Sequence, residues 1–485
     1  MCQADSVTRV CQSQAPGTRA RKQGDGKMTP ETYRLLLISL IELVGLLPSD
    51  IRENGVKLRV EPASALIDEA VTITASGVQH GEPVTIRATM TDSRGREWQS
   101  HAVFMGGDGG RIDLAQMAPN EGTYRGVDPM GLLWSMQLAP DIPENDREPR
   151  GFAYDLQQPL VTKFILEVEG IEVTTCELKR MMMDPGVKVL DVKEDGLIGQ
   201  LYMPAGAGPH PAVLVLTGSD GGINRTDAAL LASRGFAAFA LAYFRAEGLP
   251  DRLVEIPLEY LKKGIDWFVR QEGVDGKRLG VIGGSKGGEL GLLLGATFPE
   301  IRAVVAYVPS HVAWQGISWS GPPPDAPSWS YQGQPVPYLR GQPTPAFLGQ
   351  FMGGGGQPMK LLDLYRSALD NQEVVERALI PVEKINGPVM LVSGREDALW
   401  PSTLMADKVI ERLREHKHPF PRQHLAYDGA GHAIRKSFLP AAGTIATRQL
   451  MLGGSEEANA KAQADSWPKV LQFLRTSLQS KESSR

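Results

Sequence analysis

At 485 residues the chain is too long for one ordinary hydrophobic core, so two domains are expected. Its 42% hydrophobic and 22% charged content, with a formal net charge of −5 and no basic block, describe a globular chain and exclude a nucleic-acid-binding role. Three cysteines (Cys2, Cys11, Cys176) cannot build a disulfide framework, and no C-x-x-C pair, H-E-x-x-H or Walker loop is present; no metal or cofactor is expected, and a cytoplasmic setting is.

Residues 1–27 are polar, basic-leaning and without periodicity, and read as a disordered tail. Residues 35–47 are apolar apart from Ser39, Glu42 and Gly45, too short a run to span a bilayer. A packed or interfacial helix is expected there; the competing reading is an export signal within 28–48, which lacks an A-x-A cleavage site. Residues 1–55 thus form a tail with a short apolar helix. From Val56 onward apolar and polar residues alternate (Leu58, Val60; Val71, Ile73, Ala75; Val84, Ile86, Ala88) between Gly- and Pro-bearing turns. With the alternating stretch 161–176, this predicts an antiparallel, Ig-like β-sandwich over 56–180. The apolar patch 129–136 reads as a corner of its core rather than a ligand site.

Beyond residue 181 the pattern changes. Strands at 187–192 and 197–202 flank Glu194-Asp195-Gly196, a hairpin signal with Gly placed for positive φ. The unbroken apolar run 212–216 fits a parallel strand buried on both faces, and leads into Thr217-Gly218-Ser219-Asp220-Gly221-Gly222. A helix over 227–234 stopped by Gly235, a strand over 236–242, a helical face of Leu258, Leu261, Ile265 and Phe268, and strands at 303–308 and 389–392 continue the alternation. The whole predicts an α/β-hydrolase domain over 181–485, a mostly parallel sheet with helices on both faces. A Pro/Gly-rich insertion at 314–360 interrupts it, and its Trp319, Trp329, Tyr331, Tyr338 and Phe347 either line an acyl pocket or pin the loop to the body. Trp467, Leu471, Leu474 and Leu478 give a core-facing C-terminal helix.

Within that domain an apolar strand (Leu279, Val281, Ile282) runs into Gly283-Gly284-Ser285-Lys286-Gly287 and then an apolar helix, the context of a nucleophile elbow. A serine on so sharp a turn needs glycines beside it, where side chains would strike strand and helix. A serine nucleophile requires a base and an acid, which in this fold follow it in the order Asp/Glu, then His. Asp397 follows the apolar strand 389–392, with Glu396 as its neighbouring rival. His432, in Gly429-Ala430-Gly431-His432, is the candidate base, and His311 is the second choice. His80, His101, His210, His416, His418 and His424 read as ordinary surface residues. The oxyanion donors are expected to be the backbone N–H of Lys286 and of Ser219, with Asp220 as rival. Glu289, a turn beyond Ser285, reads as buried support for the elbow rather than as the acid.

Gly-Gly-Ser285-Lys-Gly-Gly-Glu, residues 239–244 (Phe-Ala-Leu-Ala-Tyr-Phe), residues 382–388 (Val-Glu-Lys-Ile-Asn-Gly-Pro), Gly429-Ala430-Gly431-His432 and residues 126–135 together resemble the acyl-CoA thioesterase / bile acid-CoA:amino acid N-acyltransferase family over roughly 56–480. The resemblance implies a β-sandwich before an α/β-hydrolase, Ser285, Asp397 and His432 as triad, and an acyl-CoA or related thioester as substrate. It also implies hydrolysis, since serine at this position goes with the thioesterases and cysteine with the conjugating members. Acyl transfer to an amine, a carboxylesterase or peptidase activity, and a non-catalytic binding role are the competing readings. Arg225, Arg245 and Arg252 are the candidates for a CoA phosphate site.

Overall fold

The computed structural model describes residues 55–479, apart from 144–145, 149–150, 321–323, 353–356 and 435–437. The tail, the helix expected over 35–47 and part of the Pro-rich insertion lie outside the described residues. Residues 57–181 form two facing sheets. One holds Lys57–Glu61, Thr72–Ser76 and Arg111–Asp113; the other is built around Ile171–Met181, Leu160–Val168, Pro83–Thr91 and Glu97–Met105, paired antiparallel. Strict alternation along Pro83–Thr91 points Val84, Ile86, Ala88 and Met90 into the shared core. Burial of each of the larger ones, Val84, Ile86 and Met90, contributes about 1.5–3 kcal/mol. The patch 129–136 belongs to the same core: Met130, Leu132, Leu133, Trp134 and Met136 are all buried, on a short helix Gly131–Trp134.

The larger sheet has eight strands, β1 Lys188–Glu194, β2 Leu197–Met203, β3 His210–Val215, β4 Ala237–Ala242, β5 Val274–Gly284, β6 Ile301–Tyr307, β7 Val389–Gly394 and β8 Arg422–Tyr427. Their spatial order is β1-β2-β4-β3-β5-β6-β7-β8, with β2 antiparallel to both neighbours and every later pairing parallel. This is the α/β-hydrolase arrangement. Strands β3 and β4 are buried on both faces, Ala212 and Leu214 feeding one apolar core and Val213 and Val215 the other, which is why 212–216 carries no polar alternation. The β1–β2 turn is a tight one with Asp195 and Gly196 both at positive φ.

The two regions are tied together by polar contacts. Arg234 binds Asp68 and, at 3.0 Å, Glu69. Trp467 donates its indole N–H to Asp68 (2.9 Å), Ala441 N–H donates to the Trp134 carbonyl (2.8 Å), and Tyr154 and Thr226 share a hydroxyl hydrogen bond (2.8 Å).

The insertion carries more structure than its composition predicts. Ile256–Pro257, Trp329–Tyr331 and Gln334–Pro335 make a small three-stranded sheet, and Pro345–Met352 is helical. Fully buried Trp314 and Trp329 anchor the insertion, so for Trp329 the loop-pinning alternative is the one the structure shows.

Candidate active site

Strand β5 ends at Gly284 and the helix Lys286–Thr297 begins one residue on, leaving Ser285 at the turn with φ 57° and ψ −124°. For a residue with a Cβ this backbone costs on the order of 1–3 kcal/mol and persists only where the surroundings enforce it. Here Ser285 N–H donates to the Tyr307 carbonyl (2.9 Å), and the flanking glycines admit no side chain. A Cβ on Gly283 would lie 2.1 Å from the Gly287 carbonyl oxygen, and one on Gly287 would lie 2.1 Å from that of Thr217. The elbow is therefore wedged between its own helix and the loop after β3.

Asp397 follows β7 and is buried, whereas Glu396 beside it is exposed. Its Oδ1 accepts the backbone N–H groups of Leu399 (2.9 Å) and Trp400 (3.2 Å), and its Oδ2 accepts from Ser402 Oγ (2.6 Å) and His432 Nδ1 (2.8 Å). A carboxylate held by four donors has one orientation, and it fixes the imidazole in turn. His432 stands on the loop after β8, its N–H donated to the Leu452 carbonyl (2.9 Å) and its ring edge-on to Trp400, centroids 5.9 Å apart. With Nδ1 engaged, Nε2 is the nitrogen left for substrate or serine. Ser285 and His432 both line one cavity of about 1090 Å³, together with Thr217 to Gly221, Arg225, Arg245, Trp319, the 439–452 loop, and Phe152 and Tyr154 from the first region.

The loop after β3 reaches the elbow closely. A Cβ on Gly218 would sit 3.6 Å from Ser285 Cβ, and Ser219 is half-buried next to it. Tyr243 OH donates to the Thr217 carbonyl (2.7 Å), and Trp319 Nε1 donates to the Ser219 carbonyl (2.9 Å). Asp220 is exposed.

Lys286 and Glu289 are buried and paired, Nζ to Oε1 at 2.6 Å. Burial pushes the Glu289 carboxyl up and the Lys286 ammonium down, each opposed by the other's charge. Glu289 Oε1 also accepts Trp329 Nε1 (2.7 Å) and Trp314 N–H (3.2 Å). The Lys286 side chain is thus committed to the interior.

Several expectations about histidines change. His311 is buried with Nδ1 unpartnered among the described residues, and burial, aided by the Lys408 charge, lowers its pKa to about 4. It lines a different cavity of about 980 Å³, with Arg366, Leu379 and Lys408, and is not brought to Ser285. His418 and His424 are not surface residues. His418 is buried with Nε2 against the Ile385 carbonyl (2.8 Å). His424 bridges Ser393 Oγ (2.7 Å) and Asp407 Oδ1 (2.9 Å), a second Ser–His–Asp arrangement whose serine is fully buried, out of reach of a substrate. Of the candidate phosphate residues, Arg225 and Arg245 line the Ser285 cavity and Arg252 does not. Sequence reasoning missed Ser402, whose only local signal is its place after Pro401 at a helix start, and the 439–452 loop, which has none. Among the described residues no group of three or more His, Cys, Asp or Glu is placed to hold a metal, and no helix is long and apolar enough to cross a membrane.

A strained serine at a strand–helix turn, followed in chain order by a buried Asp hydrogen-bonded to a half-buried His on the loops after β7 and β8, is the layout of an α/β-hydrolase. Residues 68–194 match the model of the "Acyl-CoA thioester hydrolase/BAAT N-terminal region", and residues 256–480 that of the "BAAT / Acyl-CoA thioester hydrolase C terminal". Acyl-coenzyme A thioesterase 6 of Mus musculus is 31% identical over 88% of this chain and 98% of its own length. Peroxisomal succinyl-coenzyme A thioesterase (29%, 86% and 96%) and acyl-coenzyme A amino acid N-acyltransferase 1 (30%, 87% and 98%), both of Mus musculus, are similarly related. Among solved structures, that of DcsB with its substrate analogue is 14% identical, with a TM-score of 0.38, over 61% of this chain and all of that one. The chain belongs to the acyl-CoA thioester hydrolase / bile acid-CoA:amino acid N-acyltransferase family.

Proposed function

We propose that this protein hydrolyses acyl-CoA, or a closely related acyl thioester, to the free carboxylic acid and the thiol. Ser285 Oγ attacks the thioester carbonyl carbon while His432 Nε2 takes its proton. The backbone N–H groups of Lys286 and Ser219 hold the oxyanion, each worth about 3 kcal/mol of barrier. The C–S bond then breaks, the imidazolium returns its proton to the departing thiolate, and the acyl group remains as an ester on Ser285. His432 next deprotonates a water that attacks this ester, and as the acyl C–O bond breaks the imidazolium returns the proton to Ser285 Oγ, releasing the carboxylic acid. Asp397 stays ionised and holds the imidazole tautomer throughout.

The observation that carries the reading is the 2.8 Å hydrogen bond between buried Asp397 and His432, which lines the same cavity as a serine in a strained elbow. Membership of a family of acyl-CoA thioesterases and N-acyltransferases supports the substrate class. Water as acceptor is favoured because an acyl-serine ester is less activated toward amines than an acyl-cysteine thioester. Three cysteines in 485 residues support a reducing setting such as the cytoplasm. Incubation with acyl-CoAs of graded length, with and without glycine or taurine, tests the proposal. Release of free thiol with carboxylic acid as the sole acyl product is expected; amide formation in its place would make the protein a transferase.

A further inference from the structure

Acyl-CoA has two ends, and the Ser285 cavity has chemistry that the acyl end does not use. At about 1090 Å³ it exceeds the roughly 300–1,000 Å³ typical of small-ligand sites. Two of its lining residues, Arg225 and Arg245, are exposed, and neither forms an ion pair with a carboxylate among the described residues. Arg225 follows Asn224, the N-cap of Arg225–Ser233, and gives only its Nε to Gln200 Oε1 (2.9 Å). Arg245 lies against the Gly-rich loop: a Cβ on Gly221 would come 2.7 Å from Arg245 Cβ, and Gly221 and Gly222 both take positive φ to pass beneath it. The same loop carries Ser219, whose carbonyl fixes the indole of Trp319, a large apolar side chain left 44% exposed on this cavity. The acidic residues on the cavity are Asp220, exposed, and Asp227, buried against Asn224.

Two guanidinium groups without a carboxylate partner among the described residues suit oxygen-rich dianions, which they engage through paired N–H donors. A tethered, exposed indole suits the face of a base. We propose that Arg225, Arg245 and Trp319 form the subsite for the phosphorylated nucleotide end of the substrate, the arginines on phosphate and Trp319 on adenine. This assignment rests on the thioesterase reading and adds what selects the thiol half of the substrate. Because the arginines are exposed, the contact weakens as salt screens it.

The test presents one acyl group on two thiols, CoA and N-acetylcysteamine, the second lacking the nucleotide. The readout is the ratio of kcat/KM for the two substrates in the wild type, R225Q, R245Q, the double variant and W319A. The ratio should fall about 10-fold for each arginine, on the scale of a lost charge-assisted hydrogen bond, and mainly through KM for the CoA thioester. Raising the salt concentration should lower the wild-type ratio and leave that of the double variant nearly unchanged. An unchanged ratio in the double variant, or equal losses on both substrates, overturns the subsite while leaving thioester hydrolysis in place. A wild-type protein that cleaves neither thioester overturns the underlying reading and the subsite with it.

Discussion

Glu289 and Trp329 are 40 positions apart in the chain, yet the indole N–H of Trp329 donates to Glu289 Oε1 at 2.7 Å in a fully buried contact. Glu289 belongs to the helix that Ser285 caps, and Trp329 to the insertion after β6. The same oxygen binds Lys286 Nζ, so one carboxylate ties the insertion, the elbow helix and the residue after the serine. A chain of edge-on aromatic contacts, Trp314 to Tyr365 (4.8 Å), Tyr365 to Trp400 (5.7 Å) and Trp400 to His432 (5.9 Å), continues from this knot to the imidazole.

Breaking a buried ion pair from one side leaves an uncompensated charge, which typically costs about 3–5 kcal/mol. Lys286→Met is therefore expected to lower the unfolding midpoint sharply, and Lys286→Met/Glu289→Gln to recover much of the loss, because Gln keeps an acceptor for Trp329 without the charge. Thermal melts of the three proteins check this. Since the backbone N–H at 286 survives, the double variant should retain kcat within about 10-fold, whereas loss of an oxyanion donor costs about 10²–10³.

The neighbouring acids 396 and 397 are separated by burial. Asp397→Asn is expected to lower kcat by about 10⁴-fold through the wrong imidazole tautomer, and Glu396→Gln to leave it nearly unchanged. Ser402→Ala removes the 2.6 Å hydrogen bond to Asp397 Oδ2 and should cost about 10-fold. Steady-state kinetics on one acyl-CoA rank the three; equal losses for positions 396 and 397 would contradict the assignment.

His311 gives a pH signature. Burial, first, and the Lys408 charge, second, hold its pKa at about 4, below the ordinary 6.5. The native state therefore keeps it neutral where the unfolded chain takes up a proton. Its contribution to stability is intact above about pH 6.5 and is lost as pH falls toward 4, with a slope near 1.4 kcal/mol per pH unit. His424, also lowered by burial, acts in the same direction. Denaturant midpoints at pH 7 and pH 5 should differ less in His311→Gln than in the wild type.

The elbow was legible in the sequence because its constraint is local. Gly283 is required by its own helix four residues on, and Gly287, although it faces the Thr217 carbonyl in the loop after β3, sits in the same strand–turn–helix pattern that announces both. Asp397 and His432 were legible for a similar reason: each follows a strand and sits in a turn, and the structure places them 2.8 Å apart. What stayed hidden depends on distant partners. His424 looks like one more histidine in a polar stretch, and only the pairing of β7 with β8 brings it to Ser393. Trp329 and Trp319 share one Pro-rich stretch, yet one pins the insertion through Glu289 and the other faces the cavity. Composition supplied both roles and assigned neither. The contact of Asp68 with Arg234 and Trp467, which joins the two regions, spans up to 399 positions and leaves no periodic trace.

Ser285 carries the chemistry proposed for this chain, and Ser285→Ala tests that role most directly. With acyl-CoA as substrate and thiol release followed spectroscopically, kcat is expected to fall on the order of 10⁶-fold, with the unfolding midpoint close to that of the wild type. Full turnover by Ser285→Ala would contradict the account, whatever the geometry of Asp397 and His432.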